Sequence, residues 1–176
     1  MEGVLNKIII PIKGLPQGEH SFTFAIDGEF FQGFGNSQVK DADCTVRVSV
    51  ARHQTILSVN CIVGGYIVTE CDRCLDDLTL KVDVERELTV GFGSVDVDDA
   101  ADQEDVFIAD PTDSEICLDQ FVYDYVCLSL PLVKVHPEGK CNPQMLKYLS
   151  KTDGFSEPKM DSPFGNLKDM LENKTN

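Results

Sequence analysis

The sequence predicts an α+β fold: a mostly antiparallel β-sheet, or a partly open barrel, with one main helix and short C-terminal helices. Three observations predict it. Apolar and polar residues alternate with period two over several long runs, the mark of strands with one wet face. Gly- and Pro-containing turn chemistry separates the earliest runs. One stretch near residue 120 instead repeats its apolar residues at helical spacing.

The elements follow in order. Residues 7–12 form a first apolar strand, and Gly14-Leu15-Pro16-Gln17-Gly18 is a turn. His20, Phe22, Phe24 and Ile26 alternate with Ser21, Thr23 and Ala25 in a half-buried strand that closes at Asp27-Gly28. His20 reads as a partly buried structural histidine. Phe30, Phe31 and Phe34 could stack on bases, but the favoured reading is a plug for one end of the sheet.

Val46, Val48 and Val50 begin three longer runs. Leu57, Val59, Cys61 and Val63 make the second, with Gly64-Gly65 permitting a bend or bulge before residues 66–70. Leu80, Val82, Val84 and Leu88 make the third, and Val106-Phe107-Ile108 a short closing strand. Leu118, Phe121, Val122, Tyr125 and Val126 form one helix face, which Leu128 and Leu130 extend until Pro131 ends it. Met145, Leu146 and Leu149 suggest a short docked helix, and residues 163–171 one last helical turn or two.

The chain has 176 residues, enough for one domain with a core. Residues 1–150 are expected to be a single α+β domain with an acidic loop at 94–113, and 151–176 a linker with a short helical tail. Asp96, Asp98, Asp99, Asp102, Glu104 and Asp105 raise the thought of calcium, but the loop lacks the calcium-loop spacing. A solvated loop is expected there. No apolar run approaches the roughly 20 residues of a membrane helix, and the start makes a poor signal peptide. A cytoplasmic protein is expected. Seven cysteines, an odd number, then read as free, buried or metal-bound rather than paired.

The net charge is −15. A chain this acidic repels phosphate backbones at long range, so direct RNA binding would need a locally basic face. A basic protein partner is electrostatically easier.

The residues that carry chemistry are Cys71-Asp72-Arg73-Cys74 and, much later, His136 and Cys141. Two cysteines with two residues between them can point both sulfurs at one place. Pro137 and Gly139 force a turn that brings His136 near Cys141. Cys71, Cys74, His136 and Cys141 together supply the thiolates and imidazole that zinc takes in a tetrahedron. With four protein ligands the metal would be structural, with no open position for catalysis. Two alternatives stand beside this one: four unliganded residues at a sheet edge, and a redox pair at Cys71 and Cys74. The redox reading is disfavoured because strand alternation resumes within a few residues, where a thioredoxin-like site would open a helix. Cys44, Cys61 and Cys127 read as core residues; Cys117, at the helix entrance, could have a lowered pKa, with packing preferred. Asp72, Asp76 and Asp77 read as solvated surface, and Arg73 as a cation paired with a nearby Asp or placed to meet a phosphate.

Cys71-Asp72-Arg73-Cys74-Leu75, the helix end Leu128-Ser129-Leu130-Pro131-Leu132, and His136 with Cys141 resemble the YceD family. Its members are described as large ribosomal RNA subunit accumulation proteins. Asp161-Ser162-Pro163-Phe164-Gly165-Asn166-Leu167 is similar to the Asp-Pro-aromatic tail of the Bacteroidetes-type members. The resemblance covers about residues 45–171. It implies a non-enzymatic role in ribosome biogenesis, supporting accumulation or processing of the large-subunit ribosomal RNA. Where family members often carry Ile-Asp-Leu before the long helix, this chain has Ile116-Cys117-Leu118, which removes a helix-capping Asp.

Two ways of acting follow. The chain could hold rRNA through Arg73, Lys134, Lys140, Lys147 and Lys151, the few bases near the proposed site, or it could shield a basic ribosomal protein with its acidic surface. No membrane and no small-molecule substrate are expected. The alternatives are a zinc-stabilised interaction module outside the ribosome and, less favoured, a thiol enzyme using Cys71 and Cys74.

Overall fold

Alternation of apolar and polar side chains builds one long sheet. The computed structural model describes residues 7–53, 56–92, 105–110 and 112–152. The main sheet contains β2 (Gly18–Asp27), β3 (Asp41–His53), β4 (Ile56–Glu70), β5 (Asp77–Phe92) and β6 (Val106–Ala109), in that order. The first four pair antiparallel, and β6 joins β5 in parallel. The sheet is open, with β2 and β6 at its edges, so the barrel alternative finds no support; its pairing is mostly antiparallel as expected, with β6 the parallel exception. A second, two-stranded sheet pairs β1 (Ile9–Pro11) with β7 (Glu115–Cys117).

Register explains the core. Phe24, Val46, Val63 and Val84 lie in one row across β2 to β5, and Phe22, Val48 and Cys61 in the next. These residues face inward, where Val46, Val48, Val63 and Cys61 are buried. Burial pushes the Cys44 and Cys61 thiols up to about 11, as inert core cysteines require. The opposite face carries residues such as Arg47, Ile62 and Glu85 and stays exposed.

Gly64-Gly65 makes no bulge: β4 runs through both glycines with continuous pairing to β3 and β5. Gly65 is there for a close approach. A Cβ at this position would lie 2.2 Å from the Asp43 carbonyl oxygen, and φ is 156°.

Two helices cover the inner face. The Phe30-Phe31 stretch forms a helix, α1 (Gly28–Gly33), that the alternation pattern did not predict. Asp27 accepts a hydrogen bond from Phe30 N at 3.2 Å, capping its first turn. Phe30 and Phe31 are buried, so they plug the sheet and cannot stack on bases. Phe34 stacks on Tyr123 of α2 (Asp119–Ser129) at 4.3 Å between ring centroids. α2 turns Leu118, Val122 and Val126 into the core as its periodicity predicts. Leu128 departs from the prediction, being 76% exposed beyond that face. The N-cap of α2 is Leu118 and makes no side-chain cap, matching the missing Asp. Instead Asp119 accepts from Ile8 N at 2.6 Å and ties α2 to the start of β1.

Cys117 lies in β7, exposed, and burial of its sulfur raises its pKa rather than lowering it. Cys127 is half-buried rather than core. α3 (Pro143–Thr152) ends the described chain, running two residues past the expected boundary at 150. Most of the acidic loop at 94–113 and the helical tail at 163–171 lie outside the described residues. Among the described residues no helix is long and apolar enough to cross a membrane.

Candidate metal centre

The link between β4 and β5 is six residues long and folds onto its own first sulfur. Cys71 N donates to Asp76 O at 2.9 Å, and Leu75 N donates back to Cys71 O at 2.9 Å. The turn closes only because Leu75 takes a left-handed conformation, φ 63°. For a non-glycine residue that costs on the order of 1–2 kcal/mol, so the surroundings must hold it. The return is a set of N–H groups converging on Cys71.

A later segment is stapled to this turn. Asp72 N donates to Lys134 O at 2.7 Å, and Lys134 N donates to the Asp72 carboxylate at 2.6 Å. Asp72 is therefore a structural clip, where its sequence context suggested solvated surface. From Lys134 the chain reaches His136, then reverses at Pro137–Lys140, with Gly139 at φ 77° and Lys140 N donating to Pro137 O at 3.0 Å. Cys141 follows at once. Asn142 then accepts from Gln144 N at 3.0 Å and starts α3. α3 lays Met145 and Leu146 against a small cluster whose buried members are Cys71, Cys74, Leu78 and Cys141. Leu149, the third expected docking residue, is 48% exposed.

The four predicted ligands meet. The ligand atoms of Cys71, Cys74, His136 and Cys141 all lie within 4.8 Å of one another. A zinc tetrahedron with sulfur at about 2.3 Å and nitrogen at about 2.0 Å puts its S–S edges near about 3.8 Å and its S–N edges near about 3.5 Å. Cys74 Sγ and His136 Nδ1 are 3.4 Å apart. The group fits a four-coordinate metal after a contraction of about 1 Å on its longest edge. His136 Nε2 sits 3.1 Å from Asp77 O, to which it can donate. That bond leaves Nδ1 with a free lone pair facing the sulfurs, the outer-shell arrangement a metal-binding histidine needs. All seven cysteines are free.

Charge at the cluster is prepared for a cation. Burial alone would push the Cys71 thiol up, but the N–H groups of Cys74, Arg73 and His136, with the Cys74 thiol, outweigh it and bring it down to about 6. The hydrogen bond to Cys71 raises the pKa of His136. Burial raises that of Cys141, and the neighbouring Cys71 and Cys74 add to it. A thiolate beside further thiols is an incipient metal site.

The basic residues proposed for RNA contact lie in segments that also carry carboxylates. Arg73 is exposed on the turn, and among the described residues it makes no ion pair with an Asp. Lys134 is half-buried and donates through Nζ to Gln38 at 3.4 Å. Lys140 and Lys147 are exposed, and the side chain of Lys151 lies outside the described residues. Asp72, Asp76, Asp77 and Glu138 are interleaved with them in the same segments. Sequence reasoning missed Lys40, whose Nζ bridges Glu70 at 3.3 Å and Asp77 at 2.7 Å beside the turn.

A family model, described as large ribosomal RNA subunit accumulation protein YceD, matches residues 59–171. The chain belongs to the YceD family. The match starts within β4, later than the resemblance reached, and takes in both halves of the Cys/His cluster. β1 to β3 lie outside it, although β3 pairs with β4 from Ile56 to Val68. No curated protein and no solved structure matches the chain. Family membership supports a role in ribosome biogenesis.

Proposed function

We propose that this chain is a non-enzymatic factor of large-subunit assembly, a cytoplasmic zinc-clamped β-sheet module that supports accumulation or processing of the large-subunit rRNA. The observation that carries the zinc is the convergence of three thiols and one imidazole within 4.8 Å, with the imidazole correctly oriented by Asp77 O. The ribosomal role rests on membership of the YceD family. Zinc here is structural: it takes its four ligands from the protein and holds the 134–141 segment to the β4–β5 turn. Residues 1–150 act as one unit in this reading, with 151–176 trailing from it.

Between rRNA and a basic ribosomal protein as the direct partner, the charge pattern favours the protein. The chain carries −15, and the bases near the clamp are interleaved with carboxylates. Phosphate contacts made by a few scattered lysines are soon lost to salt.

A thiol-enzyme reading takes its support from the depressed Cys71 thiol. Against it, Cys71 and Cys74 are both fully buried, so a disulfide substrate cannot reach either sulfur. The experiment is sedimentation of the tagged native protein from gently lysed cells. Comigration with large-subunit precursors is expected, together with fewer large subunits when the gene is removed. Migration only as free protein, with normal subunit levels on deletion, contradicts the role.

A further inference from the structure

The stretch that closes α2 and follows it, Leu128-Ser129-Leu130-Pro131-Leu132-Val133, carries no charge, in a chain whose net charge is −15. Leu132 is 98% exposed, Leu128 76% and Val133 67%. Large apolar side chains bared this close together along the chain mark a contact surface. Leu130, Pro131 and Leu132 also line a cavity of about 200 Å³, together with Val39 and Thr69. Thr69 is 1% exposed, and its hydroxyl has no hydrogen-bond partner in the protein. A buried hydroxyl left unmet costs stability. The cavity therefore suits an occupant that brings a polar group as well as apolar surface, as a peptide segment does. It falls short of the roughly 300 Å³ at which small-molecule sites begin, and holds one large side chain.

Residues 163–171 of the chain itself match that description. Phe164, Leu167, Met170 and Leu171 fall at i, i+3, i+6 and i+7, a one-sided apolar stripe at helical spacing. Ser162-Pro163 just ahead is the chemistry of a helix start. A stripe so short does not hold its shape alone in water and needs a surface to lie on. Lys168 and Asp169 cancel, so this stretch meets the uncharged 128–133 surface without repulsion. The family match runs to residue 171, so the unit shared across the family includes it.

Length makes the return feasible. Leu132 lies two residues before Lys134, whose N–H is bonded to Asp72 at the clamp. α3 starts two residues after Cys141, in the same clamp. α3 is about 15 Å long, and the linker 153–162 can span up to about 35 Å. A tether of this length holds its end at an effective concentration on the order of millimolar, ahead of an untethered partner.

We propose that residues 163–171 fold back within the same chain and cover the 128–133 surface, with Phe164 seated in the cavity beside Thr69. This goes beyond the ribosomal reading and does not depend on it.

The test is nuclear magnetic resonance on the full-length protein as purified, with Leu and Val methyls and Phe rings labelled. Nuclear Overhauser contacts are expected between the Phe164 ring and the Leu132 methyls. They should be absent when a mixture of labelled and unlabelled protein is filtered for contacts between chains. Amide exchange supplies the energetic check. Leu132→Ser should speed exchange across 163–171 at least tenfold and leave β3 to β5 at wild-type rates. Phe164→Ser should move the Leu132 methyl resonances toward their random-coil positions, and Glu87→Gln, on the far sheet face, should change neither readout. The proposal is overturned if Phe164 makes no contact with 128–133, or contacts the exposed Phe107 and Ile108 of β6 instead. It is also overturned if the contact appears only between chains, which makes the occupant a second copy, or if Leu132→Ser leaves exchange across 163–171 at the wild-type rate. The contacts are read in the wild type, so a variant that fails to fold leaves the test intact.

Discussion

The molecule has two apolar clusters, and they are held together differently. The main one draws buried side chains from β1 to β7, α1 and α2. The other has four buried members, three of them cysteines, with Leu78 as its only large apolar one. Burying one leucine is worth roughly 1.5–3 kcal/mol. Ordering the eight residues of 134–141 costs on the order of 8–16 kcal/mol at about 1–2 per residue. Leu78 and the half-buried Leu80, Val135, Met145 and Leu146 offset only part of this, whereas a structural zinc brings roughly 10–16 kcal/mol in small peptides. The sheet is stable because it buries valines; in the proposed reading the corner is held by a metal.

The sharpest break in this comparison is a core truncation. Phe31→Ala empties a fully buried ring site and should cost about 3–5 kcal/mol. Denaturant melts should show the whole fold lost in one transition, by the same amount with and without chelator. Next comes the corner. Cys74→Ser, or chelation of the wild type, should strip amide-exchange protection from residues 134–152 and leave β3 to β5 protected. Equal loss in both regions would mean that the two clusters are one.

A smaller effect is expected at the clip. Asp72→Asn weakens the bond to Lys134 N and should cost roughly 1 kcal/mol, about a fivefold drop in zinc affinity by competition with a chelating dye. The smallest effect is in pH. Zinc must displace the Cys141 proton, held by a thiol whose pKa is raised, so affinity should fall as pH falls across the neutral range. The fall should steepen as His136 takes up its proton, above its usual 6.5, and again below about 6, where Cys71 protonates. Titration calorimetry in buffers of different ionisation enthalpy should register at least one proton released per zinc at pH 7.

Much of this was legible in the residues, and the reasons are physical. Period-two alternation marks a sheet wherever one face is wet, which is why β2 to β5 were readable. The grouping of Cys71, Cys74, His136 and Cys141 was readable because soft donors at short local spacings are rare and chemically specific. α1 was missed because six residues are too few to set a helical period, and its only signals were the Asp27 cap and the paired phenylalanines. The parallel pairing of β6 is set by a chain return that leaves no local mark. Asp72 looked like surface because a carboxylate next to a cysteine carries no hint of the distant Lys134 amide it accepts from.

The most direct test is metal content. Elemental analysis of the purified full-length protein, with Cys71→Ser and Cys141→Ser alongside, should find close to one zinc per chain in the wild type. Both variants should lose the metal and melt at lower temperature. Wild-type protein that carries no metal, takes up none when zinc is offered, and melts as the two variants do would contradict the clamp.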